Sequence, residues 1–198
     1  MPIPFWLPAL WIGATLALAP GLPLLTILGY HGICLLGAAA HPRPTWGRVP
    51  AWAWAACGAA LPVAALILGR PHGLGPALPI GGAQAFLAGW PGGFLGYAGY
   101  ALTVNSLCEE AYWRHALVRE HGRWPAWGHG LAFGLHHAVG NGLVFGWASA
   151  LPALLYTAAG GWAAVPVTRR SGGLGTVILG HSALNLMSFA WLYGRIGG

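Results

Sequence analysis

Five long segments of the chain contain no charged side chain. Asp, Glu, Lys and Arg are all absent from residues 1–42, 49–69, 71–108, 124–168 and 171–194. A membrane-spanning helix needs roughly 20 predominantly apolar residues, so each segment is long enough for at least one span. Only 6% of the 198 residues are charged, against about 25% in soluble domains. The sequence therefore predicts an all-α, polytopic membrane protein.

Proline and glycine interrupt these apolar segments and divide them into helices. We expect helices near residues 4–19, 21–39, 51–69, 131–140, 142–159 and 173–193, an apolar stretch at 83–107 that Pro91-Gly92-Gly93 interrupts, and a charged segment at 104–119. Loops or connectors are expected at 40–50, 72–82 and 120–130, and around Arg169 and Arg170. The chain is thus predicted to form one integral membrane domain over residues 1–198, a bundle of about seven or eight transmembrane helices.

The composition excludes several classes of function. The chain has no Asp and no Lys, so it cannot be an aspartyl intramembrane protease, a Ser–Lys hydrolase, or a pyridoxal or retinal Schiff-base protein. Its net charge of +6 comes from arginines at the edges of apolar segments, which suits membrane topology and not nucleic-acid binding. Cys34, Cys57 and Cys108 lack CxxC spacing and are expected to be small apolar core residues.

Two of the three acidic residues, Glu109 and Glu110, are adjacent in a largely apolar stretch. An ionisable side chain inside a membrane is costly unless it is paired or hydrated, which makes it a candidate functional residue. On a helix Glu110 and Arg114 stand at positions i and i+4, the orientation that favours an ion pair, whereas Glu109 points about 100° away. Glu109 is therefore available for chemistry, although the charges also fit an interfacial pair near a helix end.

Two further helical segments place polar residues one turn apart. His137 follows Phe133 by one turn, and its imidazole suits proton shuttling; the spacing alone does not decide between His137 and the neighbouring His136. His181 and Asn185 are also one turn apart, so both can point between helices and could hold an oxyanion. Each pair equally fits ordinary hydrogen bonds inside a bundle. Together the three segments supply a carboxylate, imidazoles, an amide and an arginine, a set typical of a hydrolytic site.

The three motifs occur in an order that resembles a known family. Residues 109–114 match EExxxR, residues 133–137 match FxxxH, and residues 181–185 match HxxxN. The series resembles the CPBP family of intramembrane glutamic endopeptidases. This family includes type II CaaX prenyl endopeptidases and bacterial relatives in bacteriocin processing or immunity and in sorting-signal processing. The resemblance covers about residues 105–190, which we expect to be the catalytic core, and it implies an all-helical membrane fold.

The resemblance also implies a role for each motif residue. Glu109 would be the general base that activates a water for attack on a peptide carbonyl, and His137 would hold this water or carry protons. His181 and Asn185 would stabilise the oxyanion. The residues that support this catalytic group would be Glu110, Arg114 and Phe133. No cofactor and no metal ion is expected.

Other interpretations of the same residues remain open. A zinc hydrolase could use Glu109, His137 and His181, because three nitrogen or oxygen ligands with an open position suit catalytic zinc. A proton-coupled carrier or a membrane immunity factor could use them as a relay. Cys108 beside Glu109 could be a nucleophile, although a thiol in apolar surroundings is inert. The absence of GxSG disfavours a rhomboid-type serine protease.

The chain leaves little material for an extramembrane domain that could recruit a substrate. We therefore expect the substrate to be a membrane-anchored protein or peptide, cleaved near a hydrophobic or lipidated tail, with no nucleic-acid partner. The absence of Lys together with abundant Ala, Gly and Arg indicates a GC-rich bacterial source. The expected location is therefore the bacterial inner membrane, as a multi-pass protein.

Overall fold

The computed structural model describes residues 3–19, 21–68 and 81–196. Within these residues the chain is helical and has no β-strand, so the all-α prediction is confirmed. The eight helices of the described part are α1 (Leu7–Leu18), α2 (Pro23–Ala39), α3 (Ala51–Leu68), α4 (Gly81–Ala88), α5 (93–120), α6 (Ala126–Phe145), α7 (Ala150–Ser171) and α8 (Gly175–Ile196).

Helix α5 alternates between α-helical and π-helical winding. Its α-helical parts are Gly93–Tyr100, Ser106–Glu110 and Leu117–Glu120, and π-helical stretches join them at Ala101–Asn105 and Ala111–Ala116. Such π turns inside α-helices are frequent at functional sites. The two adjacent glutamates therefore lie on a short α-helical stretch with wider winding on each side.

The aromatic side chains of α5 form much of the core around the glutamates. Tyr112, Trp113 and Leu117 are 1% exposed or less, and they share one apolar cluster with Tyr30 and Cys34 of α2. Helix α5 also contacts α8. Elsewhere α6 packs along α7, α3 packs along α8, and α1 contacts both α2 and α6.

Helix length and hydropathy identify one clear membrane-span candidate among the described helices, Trp147–Ser171. Three other apolar helices, at Leu7–Leu18, Pro23–Ala39 and Ala51–Ala64, are shorter. The predicted total of about seven or eight spans therefore stays a prediction. Large apolar side chains cover parts of the outer surface, and Leu18 and Leu95 expose 85% and 74% of their area. Extensive apolar surface of this kind is typical of membrane or protein contact.

The predicted division between helices at 131–140 and 142–159 is wrong. Helix α6 continues through Asn141 and ends at Phe145. The chain changes direction at Gly146 instead, where a φ of 86° is a conformation that favours glycine. The sequence contains glycine at 140, 142 and 146, and only the folded chain shows which of them ends the helix.

The predicted loops have three different outcomes. The loop at 40–50 is confirmed, because α2 ends at Ala39 and α3 begins at Ala51. The loop expected around Arg169 and Arg170 is wrong, because both arginines lie in the last turn of α7, which ends before Gly172 at φ 69°. Most of the segment predicted at 72–82 lies outside the described residues.

Helices α6 and α7 approach each other at small residues. Gly130 and Gly134 are one turn apart on α6, and Gly161 of α7 faces the first of them. A Cβ atom on Gly130 would lie 2.5 Å from the Ala158 carbonyl oxygen and 2.7 Å from the Trp162 nitrogen. Small residues at this spacing allow close helix contact. Gly130 thereby helps to position the helix that carries the FxxxH motif.

We expect Gly130→Ala to destabilise the protein by about 1–3 kcal/mol, a typical cost of overpacking, because the new methyl group meets backbone atoms that cannot rotate away. Gly160→Ala is the matched control, since a Cβ atom there meets nothing within 4 Å. The control should raise the free energy of unfolding by up to about 1 kcal/mol, because alanine is a better helix former than glycine. Equilibrium unfolding in mixed detergent micelles measures both variants, and equal effects would contradict the close α6–α7 contact.

Candidate active site

The carboxylate of Glu109 has one anchored oxygen and one oxygen that faces two histidines. Its Oε1 accepts a hydrogen bond from the Tyr30 hydroxyl at 2.9 Å, and that hydroxyl accepts one from the Trp113 indole N–H at 3.1 Å. Its Oε2 lies 3.5 Å from His181 Nε2 and 3.9 Å from His137 Nε2. Glu109 is only 3% exposed. Tyr30 therefore sets the direction of a buried carboxylate.

The FxxxH motif orients His137 through both its backbone and its aromatic ring. His137 Nδ1–H donates to the Phe133 carbonyl oxygen at 3.1 Å. A carbonyl oxygen can only accept, so Nδ1 carries a proton and a neutral ring presents the Nε2 lone pair. The Phe133 ring packs against the imidazole, with 4.3 Å between the ring centroids. The Nε2 atom is thereby held toward Glu109.

Glu110 organises a second group of charged side chains next to the first. Its Oε1 accepts a hydrogen bond from His181 Nδ1–H at 2.8 Å, and its Oε2 lies 3.3 Å from Arg114 Nε. The Glu110–Arg114 ion pair expected from the spacing is therefore present. The Arg114 guanidinium carbon also lies 4.0 Å from the Phe133 ring centroid, within cation–π range. Since His181 Nε2 faces Glu109, His181 bridges the two carboxylates.

Glu109 and His137 line a cavity of about 200 Å³. The side chains with polar groups that line it are Thr26, Tyr30, Tyr97, Asn105, Glu109, His136, His137, Asn141 and Asn185. The rest of the wall is aliphatic and aromatic, and includes Ile12, Leu16, Phe86, Val144, Phe189 and Leu192. A concave, mostly apolar pocket with a few convergent polar groups is typical of a small-molecule or substrate site.

Residues 91–187 match a family model described as Rce1-like, type II CAAX prenyl endopeptidase. The match contains the EExxxR, FxxxH and HxxxN motifs, and it supports the CPBP resemblance. Rce1-like proteins are membrane proteins and endopeptidases, so the matched segment is similar to a family of hydrolases. No curated protein and no solved structure matches the chain.

The adjacent histidines of the Rce1-like segment both lie beside Glu109. His136 is 3% exposed and stacks on Tyr30, with 4.6 Å between ring centroids, while His137 points to the carboxylate. Both histidines line the cavity. The sequence left open which of the two faces the site, and in the structure both do. Glu109, His136 and His137 each offer one ligand atom within 4.8 Å of the others. These three residues could hold a metal ion, with His136 in the place that the zinc interpretation gave to His181.

Asn185 lines the same cavity as Glu109, but its amide hydrogens are directed at α5. Its Nδ2 group donates to the Ala101 carbonyl oxygen at 3.0 Å and to Ser106 Oγ at 3.3 Å. These bonds connect α8 to the first π-helical stretch of α5 and to the α-helical stretch that follows it. The expected role of Asn185 as an oxyanion donor stays a prediction.

Polar residues outside the EExxxR, FxxxH and HxxxN motifs also lie near the site, among them Tyr30, His31 and Asn105. Tyr30 and His31 lie in α2, outside the Rce1-like match. The available signal was a tyrosine and a histidine side by side in an otherwise apolar helix. Asn105 lies one turn before Glu109, and residues at this spacing share one face of a helix.

Proposed function

We propose that the chain is an intramembrane glutamic endopeptidase that hydrolyses a peptide bond in a membrane-anchored protein. The observation that carries the proposal is the buried Glu109 carboxylate, which faces His137 and His181 and lines a largely apolar cavity. Peptide hydrolysis needs a base for water, donors for the oxyanion and an acid for the leaving amine. Glu109, His137, His181 and Asn185 can together supply these groups.

Glu109 and His137 are proposed to bind and activate the water. Glu109 Oε2 and His137 Nε2 lie 3.9 Å apart, and both are acceptors when the imidazole is neutral. A water between them donates one hydrogen to each and turns a lone pair toward the substrate carbonyl. Glu109 takes the proton as the new C–O bond forms, which is general-base catalysis by a positioned carboxylate.

His181 and Asn185 are proposed to stabilise the oxyanion. Glu110 holds the Nδ1 proton of His181, so Nε2 can receive the proton that Glu109 removes from water. The protonated Nε2 donates to the oxyanion and then passes its proton to the amine nitrogen as the C–N bond breaks. Asn185 adds a second donor when one of its amide hydrogens turns from Ser106 to the substrate.

Glu110, Arg114 and Phe133 are proposed to support this group. Arg114 pairs with Glu110 and lies over the Phe133 ring, and the same ring contacts His137. The ion pair compensates the charge of Glu110, so this carboxylate serves as an acceptor for His181 and not as a second base. Glu110, Arg114 and Phe133 thus form a continuous series of contacts between His181 and His137.

The substrate is proposed to be a protein or peptide with a hydrophobic or lipidated tail. The apolar wall of the cavity suits aliphatic side chains next to the cleaved bond, and the name of the matched family refers to CAAX prenyl substrates. Exposed leucines on the outer faces suit contact with lipid. We therefore place the chain in a cell membrane as a multi-pass protein, in the bacterial inner membrane on compositional grounds.

The proposal is tested with the full chain in phosphatidylcholine–phosphatidylglycerol liposomes. The probes are a farnesylated CAAX peptide and an unprenylated peptide with a hydrophobic carboxyl-terminal tail. We expect mass spectrometry to detect endoproteolysis of at least one probe near its tail, with oxygen from labelled water in the new carboxylate. Failure to cleave either peptide would overturn the peptidase proposal in favour of a carrier or an immunity factor.

A second candidate, a zinc hydrolase, is favoured by the grouping of Glu109, His136 and His137. If Glu109 activates water directly, 1,10-phenanthroline should change the cleavage rate by less than about twofold, because no zinc-bound water takes part. The measurement is the initial rate with and without the chelator, combined with metal analysis of the purified protein. Stoichiometric zinc together with chelator-sensitive cleavage would replace the glutamic mechanism.

A further inference from the structure

A second buried polar group lies on the α2 side of the cavity. His31 is 3% exposed, and both of its ring nitrogens have partners on α5. Its Nδ1 pairs with the Tyr100 hydroxyl, and its Nε2 lies 2.9 Å from Asn105 Oδ1. None of these three residues belongs to the EExxxR, FxxxH or HxxxN motifs, and the mechanism above does not use them.

The direction of these hydrogen bonds follows from what each atom can do. An amide oxygen only accepts, so His31 Nε2 must carry a proton. In a neutral imidazole Nδ1 is then the acceptor and receives the proton of the Tyr100 hydroxyl. Asn105 thus has its Oδ1 toward His31 and its NH₂ group on the opposite side, and the Tyr100 hydroxyl supports the His31 tautomer that donates to this oxygen.

The NH₂ group of Asn105 is the one amide donor of the cavity wall that has no protein acceptor within the described residues. Asn105 lines the cavity together with Glu109, one helical turn away on α5. By contrast, Asn185 already donates to Ala101 and Ser106, and Asn141 donates to the His137 carbonyl oxygen at 3.0 Å. Oriented amide donors in a water-poor site are effective at stabilising developing negative charge.

We propose that Asn105 is an oxyanion donor of this peptidase, and that His31 and Tyr100 are its positioning residues. When water adds to the carbonyl carbon, the electron pair of the C=O π bond moves to oxygen. Asn105 Nδ2–H then donates to that oxygen, while the proton that came from the water passes through Glu109 to His181 Nε2. The inference rests on the peptidase function proposed above and adds to it a residue outside the three motifs.

The test compares the removal of two side-chain amides, using the tailed peptide that the wild-type protein cleaves in liposomes. Asn105→Leu should lower kcat by about 10²–10³-fold, the usual effect of removing one oxyanion donor, with KM within about threefold of wild type. Gln84→Leu, which removes an exposed amide that does not line the cavity, should keep kcat within about threefold. Thermal unfolding of both variants checks that each is folded.

The positioning role is tested at His31. His31→Leu removes the partner of Asn105 and should lower kcat by about tenfold or more at an unchanged KM, because misplaced groups lose catalytic effect. His31→Gln offers a side-chain N–H near the position of Nε2 and should restore most of kcat. A purely structural role would lower stability in both variants and would not separate leucine from glutamine.

Two results separate failure of this inference from failure of the peptidase proposal. If Asn105→Leu keeps kcat within about threefold while Glu109→Gln is inactive, the peptidase proposal stands and the role of Asn105 is overturned. If the wild-type protein cleaves no tailed peptide, the peptidase proposal fails, and the inference fails with it.

Discussion

Glu109→Gln is expected to lower kcat for a tailed peptide by about 10³–10⁴-fold, the upper part of the range for removing a general base. Glutamine has the same size, and its carbonyl oxygen still accepts the hydrogen bond from Tyr30 that Glu109 accepts at 2.9 Å. The amide cannot take a proton from water, so the variant retains the fold and loses the chemical step. The measurement is single-turnover cleavage in liposomes, which separates chemistry from product release.

The same substitution at Glu120 is the matched control. Glu120 lies at the end of α5, where its Oε1 is 3.0 Å from His41 Nε2, and it does not line the cavity. Glu120→Gln should keep kcat within about threefold. A Glu109→Gln protein that cleaves within tenfold of the wild-type rate would remove the proposed base. Equal losses in the two variants would show that charge removal itself, and not the base, is responsible.

The catalytic candidates could be predicted from the sequence because each motif lies within one helix. Helical periodicity alone places Glu110 near Arg114, and the structure shows this ion pair at 3.3 Å. The scarcity of charge in the chain also directed attention to Glu109. Local spacing indicates the ion pair, and the cost of burying charge indicates Glu109. Neither depends on how the helices pack.

The residues that orient the candidates could not be predicted in this way. Tyr30 lies 79 positions before Glu109, and no local pattern indicates that α2 places its hydroxyl on that carboxylate. The same holds for His136, whose ring lies beside Glu109 because α6 packs with that face toward Tyr30. The π-helical stretches of α5 add to the difficulty, because they change which side chains share a face.

The boundaries of the helices show a similar division. The apolar segments predict α1, α2 and α3 closely, since Pro20-Gly21 and the charged, proline-containing loop at 40–50 separate them. The predicted end of α6 was wrong because several glycines are close together in the sequence. Glycine is tolerated inside a helix as well as at a turn. Which glycine adopts a positive φ depends on the packing of α7 against α6, and this information is tertiary.

The second large effect is expected for the stability of the charged group behind Glu109. Arg114→Met should destabilise the protein by about 3–5 kcal/mol, the usual cost of leaving one member of a buried ion pair without its partner. Glu110 is 1% exposed and Arg114 4% exposed, so water cannot replace the lost guanidinium. Equilibrium unfolding in dodecyl maltoside–sodium dodecyl sulfate micelles measures the change in the free energy of unfolding.

A double-mutant cycle shows whether the loss comes from the uncompensated charge or from the lost packing of the arginine stem on Phe133. Methionine retains much of the stem, so packing changes little. The Glu110→Gln, Arg114→Met double variant no longer has the charge of Glu110 to compensate and should regain most of the lost stability, as apolar or neutral replacements of whole buried pairs do. Arg119→Met, at an exposed position of the same helix, should change stability by less than about 0.5 kcal/mol. If the double variant is no more stable than Arg114→Met alone, packing and not charge compensation is the reason that Arg114 lies behind the catalytic carboxylate.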